Sequence, residues 1–230
     1  MKVEKVQYKQ VDLDYNWKVS SGDNDRLTGE FDYAGNSIPA ELLPDSIVSD
    51  GVAFKIRKGS NVGWIVEVKM NSKDAVIPNG QTINLPEGDF NRVYILAAAT
   101  EDTKGTFSVG DNSVNLGIQY YSGFIGEWSS YKFNRVMNEE LFEKDFKIVG
   151  KTSAYLKPDN IAWVGTHRHR ADGTNEAYTF CYLYKYAIDI PKGATTLTLP
   201  DNDKIRIMAV TVAKDKNKET SMVSLDSIKL

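Results

Sequence analysis

Cysteine is almost absent: Cys181 stands alone in 230 residues. An internal disulfide is therefore excluded, and the fold must be held by its core. Flanked by Phe180 and Tyr182, that thiol reads as a small core hydrophobe. Histidine is nearly as scarce, His167 and His169 being the whole supply, and neither the Cys/His spacing of structural zinc nor an HExxH helix exists. No stretch approaches the ~18 apolar residues of a membrane span. Met1-Lys2-Val3-Glu4 lacks the apolar run of a secretion signal, so a soluble chain is expected, cytoplasmic if that N-terminus is native. A dominant charge is missing too, with 28 Lys and Arg against 31 Asp and Glu and no basic cluster. Nucleic acid needs several phosphate-neutralising cations on one face, and an anionic membrane surface needs a polybasic segment, so neither is an expected partner.

The common catalytic signatures are absent as well. Without a Gly-x-Ser-x-Gly elbow, a Gly-x-Gly-x-x-Gly fingerprint or a P-loop, hydrolase triads, dinucleotides and nucleotides lack support. A glycosidase needs two carboxylates at a defined separation; 31 acidic residues supply pairs by chance and single out none. No catalytic residue is nominated, and no cofactor or metal is expected. Asp23-Asn24-Asp25 and Asp201-Asn202-Asp203 could offer oxygens to a structural Ca²⁺, but neither has EF-hand spacing, and solvated turns account for both.

What is present is strand signal. Val52–Ile56, Trp64–Met70, Arg92–Thr100, Thr106–Val109, Ile161–His169, Tyr178–Ile190, Thr195–Leu199 and Ile205–Ala213 are short runs rich in Val, Ile, Thr and Tyr, closed by Gly, Asn, Asp and Pro. Only Asn138–Lys147 reads as a helix, with Asn138 as N-cap and Leu141, Phe142 and Phe146 as its apolar side. Strands at this spacing predict an all-β sandwich or jelly roll.

An internal repeat organises these strands. Ile77-Pro78-Asn79-Gly80-Gln81-Thr82-Ile83-Asn84-Leu85-Pro86 is echoed by Ile190-Pro191-Lys192-Gly193-Ala194-Thr195-Thr196-Leu197-Thr198-Leu199-Pro200. Arg92-Val93-Tyr94-Ile95-Leu96-Ala97 is echoed in turn by Lys204-Ile205-Arg206-Ile207-Met208-Ala209. Each copy is a Pro-x-Gly turn, a strand ended by Leu-Pro, and a buried strand. Two related β-sandwich lobes are therefore expected: a first at 1–119, a connecting insertion at 120–157, and the main strands of a second at 158–230.

The segment Ile161–Ala187 holds the candidate site. Tyr178, Phe180, Tyr182, Tyr184 and Tyr186 recur at period two, so a regular strand puts all five on one face, and Trp163, His167 and His169 share a face of the preceding strand. A hairpin closing near Gly173–Thr174 sets His169 and His167 opposite Tyr178 and Phe180, and Trp163 opposite Tyr184. The stripe from Phe180 to Tyr186 reads as core. The tip, with His167, Arg168, His169, Arg170, Asp172, Asn175 and Glu176, is too polar for a core and too dense for a plain turn. Flat rings beside charged donors and acceptors suit a sugar, whose apolar face stacks while Arg, Asp, Glu and His bind hydroxyls. Trp163, His167, Arg168, His169, Arg170, Asp172, Glu176 and Tyr178 are the expected carbohydrate-binding residues. His167-x-His169 could instead seed a zinc site, but no further ligand is visible in the sequence.

A resemblance narrows the context. Gly29-Glu30-Phe31-Asp32-Tyr33-Ala34-Gly35-Asn36-Ser37-Ile38-Pro39-Ala40-Glu41-Leu42-Leu43-Pro44, Ser49-Asp50-Gly51-Val52-Ala53-Phe54, Leu85-Pro86-Glu87-Gly88, Gly123-Phe124-Ile125-Gly126-Glu127-Trp128, Ile161-Ala162-Trp163-Val164-Gly165-Thr166-His167-Arg168-His169 and Leu199-Pro200-Asp201-Asn202 occur in that order. Together they resemble the C-terminal non-catalytic β region of bacterial family-38 glycoside hydrolases, the α-mannosidases, and the wider galactose-binding-like jelly rolls. The resemblance implies an accessory region that recognises carbohydrate, mannose-containing glycans among them, or positions substrate beside a glycosidase catalytic domain. It carries no catalytic residue onto this chain. The alternatives are a structural or oligomerisation domain that buttresses a catalytic domain, and a complete small glycosidase.

Overall fold

A computed structural model describes residues 6–57, 73–133, 148–157 and 160–216. The expected strand Trp64–Met70 and the expected helix Asn138–Lys147 lie outside the described residues. In chain order the strands are β1 (Gln7–Gln10), β2 (Ser20–Ser21), β3 (Ile38–Pro39), β4 (Ser46–Ser49), β5 (Val52–Lys55), β6 (Thr82–Asn84), β7 (Arg92–Ala99), β8 (Thr103–Val109) and β9 (Asn112–Ile118). There follow β10 (Gly126–Glu127), β11 (Ser130–Phe133), β12 (Ile148–Thr152), β13 (Tyr155–Leu156), β14 (Asn160–His169), β15 (Asn175–Asp189), β16 (Thr196–Thr198) and β17 (Ile205–Lys214). A single 3₁₀ turn, Ala40–Leu42, is the only helical element among the described residues, and none is long and apolar enough to cross a membrane. The all-β reading holds.

Two sheets carry the sandwich: five strands in the order β1-β17-β7-β15-β14, and four in the order β6-β16-β8-β9. Their side chains meet in one apolar cluster that includes Ile95, Tyr186, Ile207, Phe107, Leu116 and Leu197. Every residue of β7 is buried, so the larger sheet is covered on both faces. On one face Tyr186 and Tyr184 reach toward the smaller sheet. The Tyr186 hydroxyl accepts from the Gln119 N–H at 3.0 Å, and the Tyr184 hydroxyl donates to the Tyr120 carbonyl at 3.1 Å. On the other face lie described residues of the segment before β6. There the buried Arg206 donates to the Phe31 carbonyl at 3.1 Å and Thr211 to the Ala53 carbonyl at 2.9 Å. Lys185 crosses that face to the Asp50 carboxylate and lies 5.4 Å from the Tyr94 ring centre. Asp50 and Gly51, at φ 49° and 80°, make the two-residue turn that joins β4 to β5. Asp74 ties two distant parts of that segment together: its carboxylate accepts from the Val19 and Ser20 N–H groups at 2.7 and 3.2 Å and from the Ser20 hydroxyl.

The repeat exists in the structure, but it does not divide the chain as expected. Met1–Gly123 and Asp159–Leu225 form one compact unit, and Phe124–Pro158 with Asp226–Leu230 forms another. The repeated segments are partners of one another. Ile83 of β6 pairs with Leu197 of β16, with Thr82 opposite Thr198 and Asn84 opposite Thr196, and β7 pairs antiparallel with β17 along its length. The physical reason is edge satisfaction. A buried strand needs hydrogen-bonding neighbours on both sides, and β7 finds them in β15 and β17, both from the C-terminal half. A first lobe at 1–119 would leave both edges of β7 unpaired.

Candidate functional site

The hairpin β14–β15 forms at the expected place, but two register shifts alter what faces what. Pairing slips between Ile161 and Trp163 and again between Gly165 and His167. Trp163 is therefore opposite Leu183 rather than Tyr184, and His167 and His169 are opposite Ala177 and Asn175 rather than the aromatics. The second irregularity lies across Tyr178–Phe180, where Tyr178 takes φ 63°, a region that costs a bulky side chain on the order of 1–3 kcal/mol. Tyr178 leaves the stripe and stands 78% exposed. Tyr182, Tyr184 and Tyr186 remain in the core, as their spacing predicts, and Phe180 is half-buried against it.

The eight expected sugar-binding residues do not form one surface. Trp163 is buried, and its indole N–H donates to the Leu42 carbonyl at 3.1 Å. Gly165 makes room for that ring: a Cβ there would sit 2.7 Å from the Trp163 Cη2 atom. Arg168 points the other way, its guanidinium donating to Glu176 at 2.5 Å with Asp32 at 3.7 Å and the Tyr121 hydroxyl at 3.4 Å. Tyr121 stacks on Phe31 with ring centres 4.1 Å apart and donates to Asp32 at 2.7 Å. Burial, then the charge and hydrogen bond of Asp32, push the Tyr121 phenol well above its ordinary range. Asp172 closes the hairpin loop itself, accepting from the Thr174 N–H at 2.9 Å and hydroxyl at 2.6 Å. Arg170 and Tyr178 are exposed. The buried thiol of Cys181 is raised by burial, which suits the core role expected for it and not a nucleophile.

His167 and His169 do come together, and with partners that sequence spacing does not reveal. Two residues apart on β14, they share a face. The segment that crosses them contributes Glu41 from the 3₁₀ turn and Asp23 from the loop after β2. Glu41 Oε1 lies 3.1 Å from His167 Nε2 and 3.2 Å from His169 Nε2, and Asp23 Oδ1 lies 3.7 Å from His169 Nε2. His169 is fully buried, its backbone paired with Ser37, and its Nδ1 lies 2.8 Å from the Ser21 hydroxyl, which is 2.5 Å from that of Ser37. Burial lowers the His169 pKa, against the opposing pull of Glu41. Asp23, Asp32, Glu41 and Tyr121 are the residues that sequence reasoning did not assign to the site. The one available hint was that Asp23 falls in an acidic loop and that Asp32 and Glu41 lie in a Phe-Asp…Pro-Ala-Glu run.

A two-sheet β sandwich with a polar cluster at one hairpin end is the class that these observations define. A family model described as an AziU2-like beta-sandwich domain matches residues 7–216, and the chain belongs to that family. No curated protein matches the chain. The match supports the sandwich expected from sequence; it supports neither the likeness to the α-mannosidase β region nor carbohydrate recognition.

Proposed function

We propose that this chain is a non-catalytic β-sandwich module that docks onto another folded protein through its smaller unit. The observation that carries this reading is the apolar surface of 124–157. Phe124, Ile125, Trp128, Tyr131, Ile148, Val149 and Leu156 are all exposed, Trp128 at 85%. Ile148 and Val149 lie where the pairing of β12 with β11 slips, and both side chains are exposed. The described strands here pair only as two-stranded ribbons, β10 with β13 and β11 with β12, an arrangement that is marginal in water until something packs on it. Exposed apolar area of this kind marks a contact surface for protein. Trp128→Asp with Tyr131→Asp tests it: wild-type protein should associate, with itself or with a polypeptide encoded beside it, as read by light scattering, and the double variant should not. Wild type that stays monomeric and unbound in every pairing would sink the reading.

A second reading, carbohydrate recognition at the hairpin, is favoured by one observation: Tyr178 is held out of the aromatic stripe and exposed, on the hairpin that also carries the Arg168–Glu176 pair. An exposed ring offers a stacking face for a sugar, and charged side chains of the same hairpin supply the kind of group that binds hydroxyls. Glycan-array binding to mannose-containing sugars, weakened by about 1–3 kcal/mol in Tyr178→Ala and Glu176→Ala, is its expected outcome; no binding to any glycan removes it. Attachment to an α-mannosidase-like catalytic domain rests on the motif resemblance alone, and co-purification with such a domain is its test.

A further inference from the structure

We propose that Asp23, Glu41, His167 and His169 form a site for a divalent transition-metal ion, zinc by the chemistry of its donors, which fastens the N-terminal covering segment to the end of the β14–β15 hairpin. This inference is independent of the docking reading, because it concerns only residues of the larger unit.

Geometry is the first support. The four donor atoms lie within 4.8 Å of one another. Zinc bonds of about 2.0–2.1 Å in a tetrahedron require donor–donor edges of roughly 3.3–3.4 Å. The separations of 3.1, 3.2 and 3.7 Å among Glu41, His167, His169 and Asp23 bracket that edge. Glu41 Oε1 is central, since both imidazole Nε2 atoms face the same oxygen. Asp23 must move inward most, and it is the half-exposed member on a loop.

The surroundings of the donors are the second support. A histidine that ligates through Nε2 carries its proton on Nδ1 and needs an acceptor there. His169 Nδ1 has the buried Ser21 hydroxyl at 2.8 Å, which can pass its own proton toward Ser37. Arg26 and Asn175 donate to Asp23 Oδ1 at 2.9 and 3.4 Å, the same oxygen that lies 3.7 Å from His169 Nε2, and so hold the carboxylate beside the cluster. Two carboxylates and two neutral imidazoles carry two negative charges, matched by a dication. Imidazole also selects zinc or a neighbouring transition metal over calcium, which takes oxygen ligands only.

The site joins parts far apart in sequence. Asp23 and Glu41 belong to the segment that covers the five-stranded sheet, and the histidines to that sheet's edge strand. Binding should therefore stabilise the fold as well as fill the site.

The experiment uses the full chain, stripped with a chelator and titrated with Zn²⁺ by calorimetry, with thermal melts alongside. One ion per chain and a raised Tm are expected, and Co²⁺ should give the intense visible bands of four-coordination. His167→Ala and Asp23→Asn, both at partly exposed positions and so expected to fold, should weaken Zn²⁺ binding by more than about 10-fold, and Ser21→Ala by about 10-fold through His169. Asp172→Asn, at a loop carboxylate outside the cluster, should bind as wild type does. His169→Ala removes a fully buried ring and is not relied on. Stoichiometry well below one, Ca²⁺ bound in preference to Zn²⁺, zinc affinity unchanged in both His167→Ala and Asp23→Asn, or saturation without a rise in Tm would each overturn the proposal.

Discussion

The two units of this chain treat similar residue types in opposite ways. In the larger one, tyrosines, an arginine and a lysine are taken into the interior and bonded there: Tyr186 to Gln119, Arg206 to Phe31, Lys185 to Asp50. Among the described residues of 124–157, Phe124, Ile125, Trp128, Tyr131, Ile148, Val149 and Leu156 are exposed, and none of them belongs to the apolar cluster. Ordinary burial stabilises a side chain like Leu or Phe by about 1.5–3 kcal/mol, so leaving seven large apolar groups exposed forgoes a substantial contribution. The contrast separates a part whose described apolar side chains make a core from one whose described apolar side chains largely do not.

The sharpest way to break this comparison is at Asp74. Asp74→Ala leaves two buried N–H groups without an acceptor, and should cost about 2–4 kcal/mol by urea denaturation. A loss below 1 kcal/mol would mean that these bonds do not hold the covering segment together. The same carboxyl gives a pH signature. Burial pushes its pKa up to about 6 from 3.8, against the pull of its hydrogen bonds to Ser20 and Val19. A carboxyl that holds its proton more tightly when folded contributes most below the unfolded value. Its contribution should therefore decline as pH rises from about 4 to about 6 and level off above, by up to about 1.4 kcal/mol per unit. Asp74→Asn should show no decline from this group when stability is followed across that window. A wild-type curve parallel to that of the variant would refute the shift.

Tyr186→Phe comes next, expected to cost about 1–2 kcal/mol because the Gln119 N–H loses its partner inside the sandwich. At Tyr178, glycine relieves a positive φ, and Tyr178→Gly should raise stability by up to about 1 kcal/mol; a loss would show that the ring packs on something. The smallest effect belongs to the other unit. Trp128→Ser should leave global stability within about 0.5 kcal/mol, and a drop beyond 2 kcal/mol would place Trp128 in a core and erase the contrast.

Much of the larger unit was readable because its strands announce themselves. Arg92–Ala99 and Ile205–Lys214 are nearly continuous apolar runs, and the period-two tyrosines of β15 bury as that spacing requires. Strand β9 was missed, since Asn112, Ser113, Asn115 and Gly117 dilute an alternation that Val114, Leu116 and Ile118 still carry. The candidate site was half readable. The shared face of His167 and His169 follows from strand geometry, whereas Glu41 and Asp23 meet them through a long-range crossing that no local pattern encodes. The bulge at Tyr178–Phe180 was equally silent, because register within a hairpin is settled by packing on both faces. The repeat was seen correctly as similarity and assigned to separate lobes because similarity alone does not say whether copies lie apart or pair.

That pairing has a consequence for synthesis. The strand Arg92–Ala99 is buried along its whole length, yet both of its neighbours lie more than 75 residues downstream, the nearer beginning at Asn175 and the farther ending at Lys214. As the chain emerges N-terminus first, at about 5–20 residues per second, this strand waits for several seconds with both edges open. Non-local pairing of this kind also makes folding intrinsically slow. Until residue 214 is made, this segment has at least one edge open, and a stalled or truncated product that ends before it would present a ready seed for aggregation.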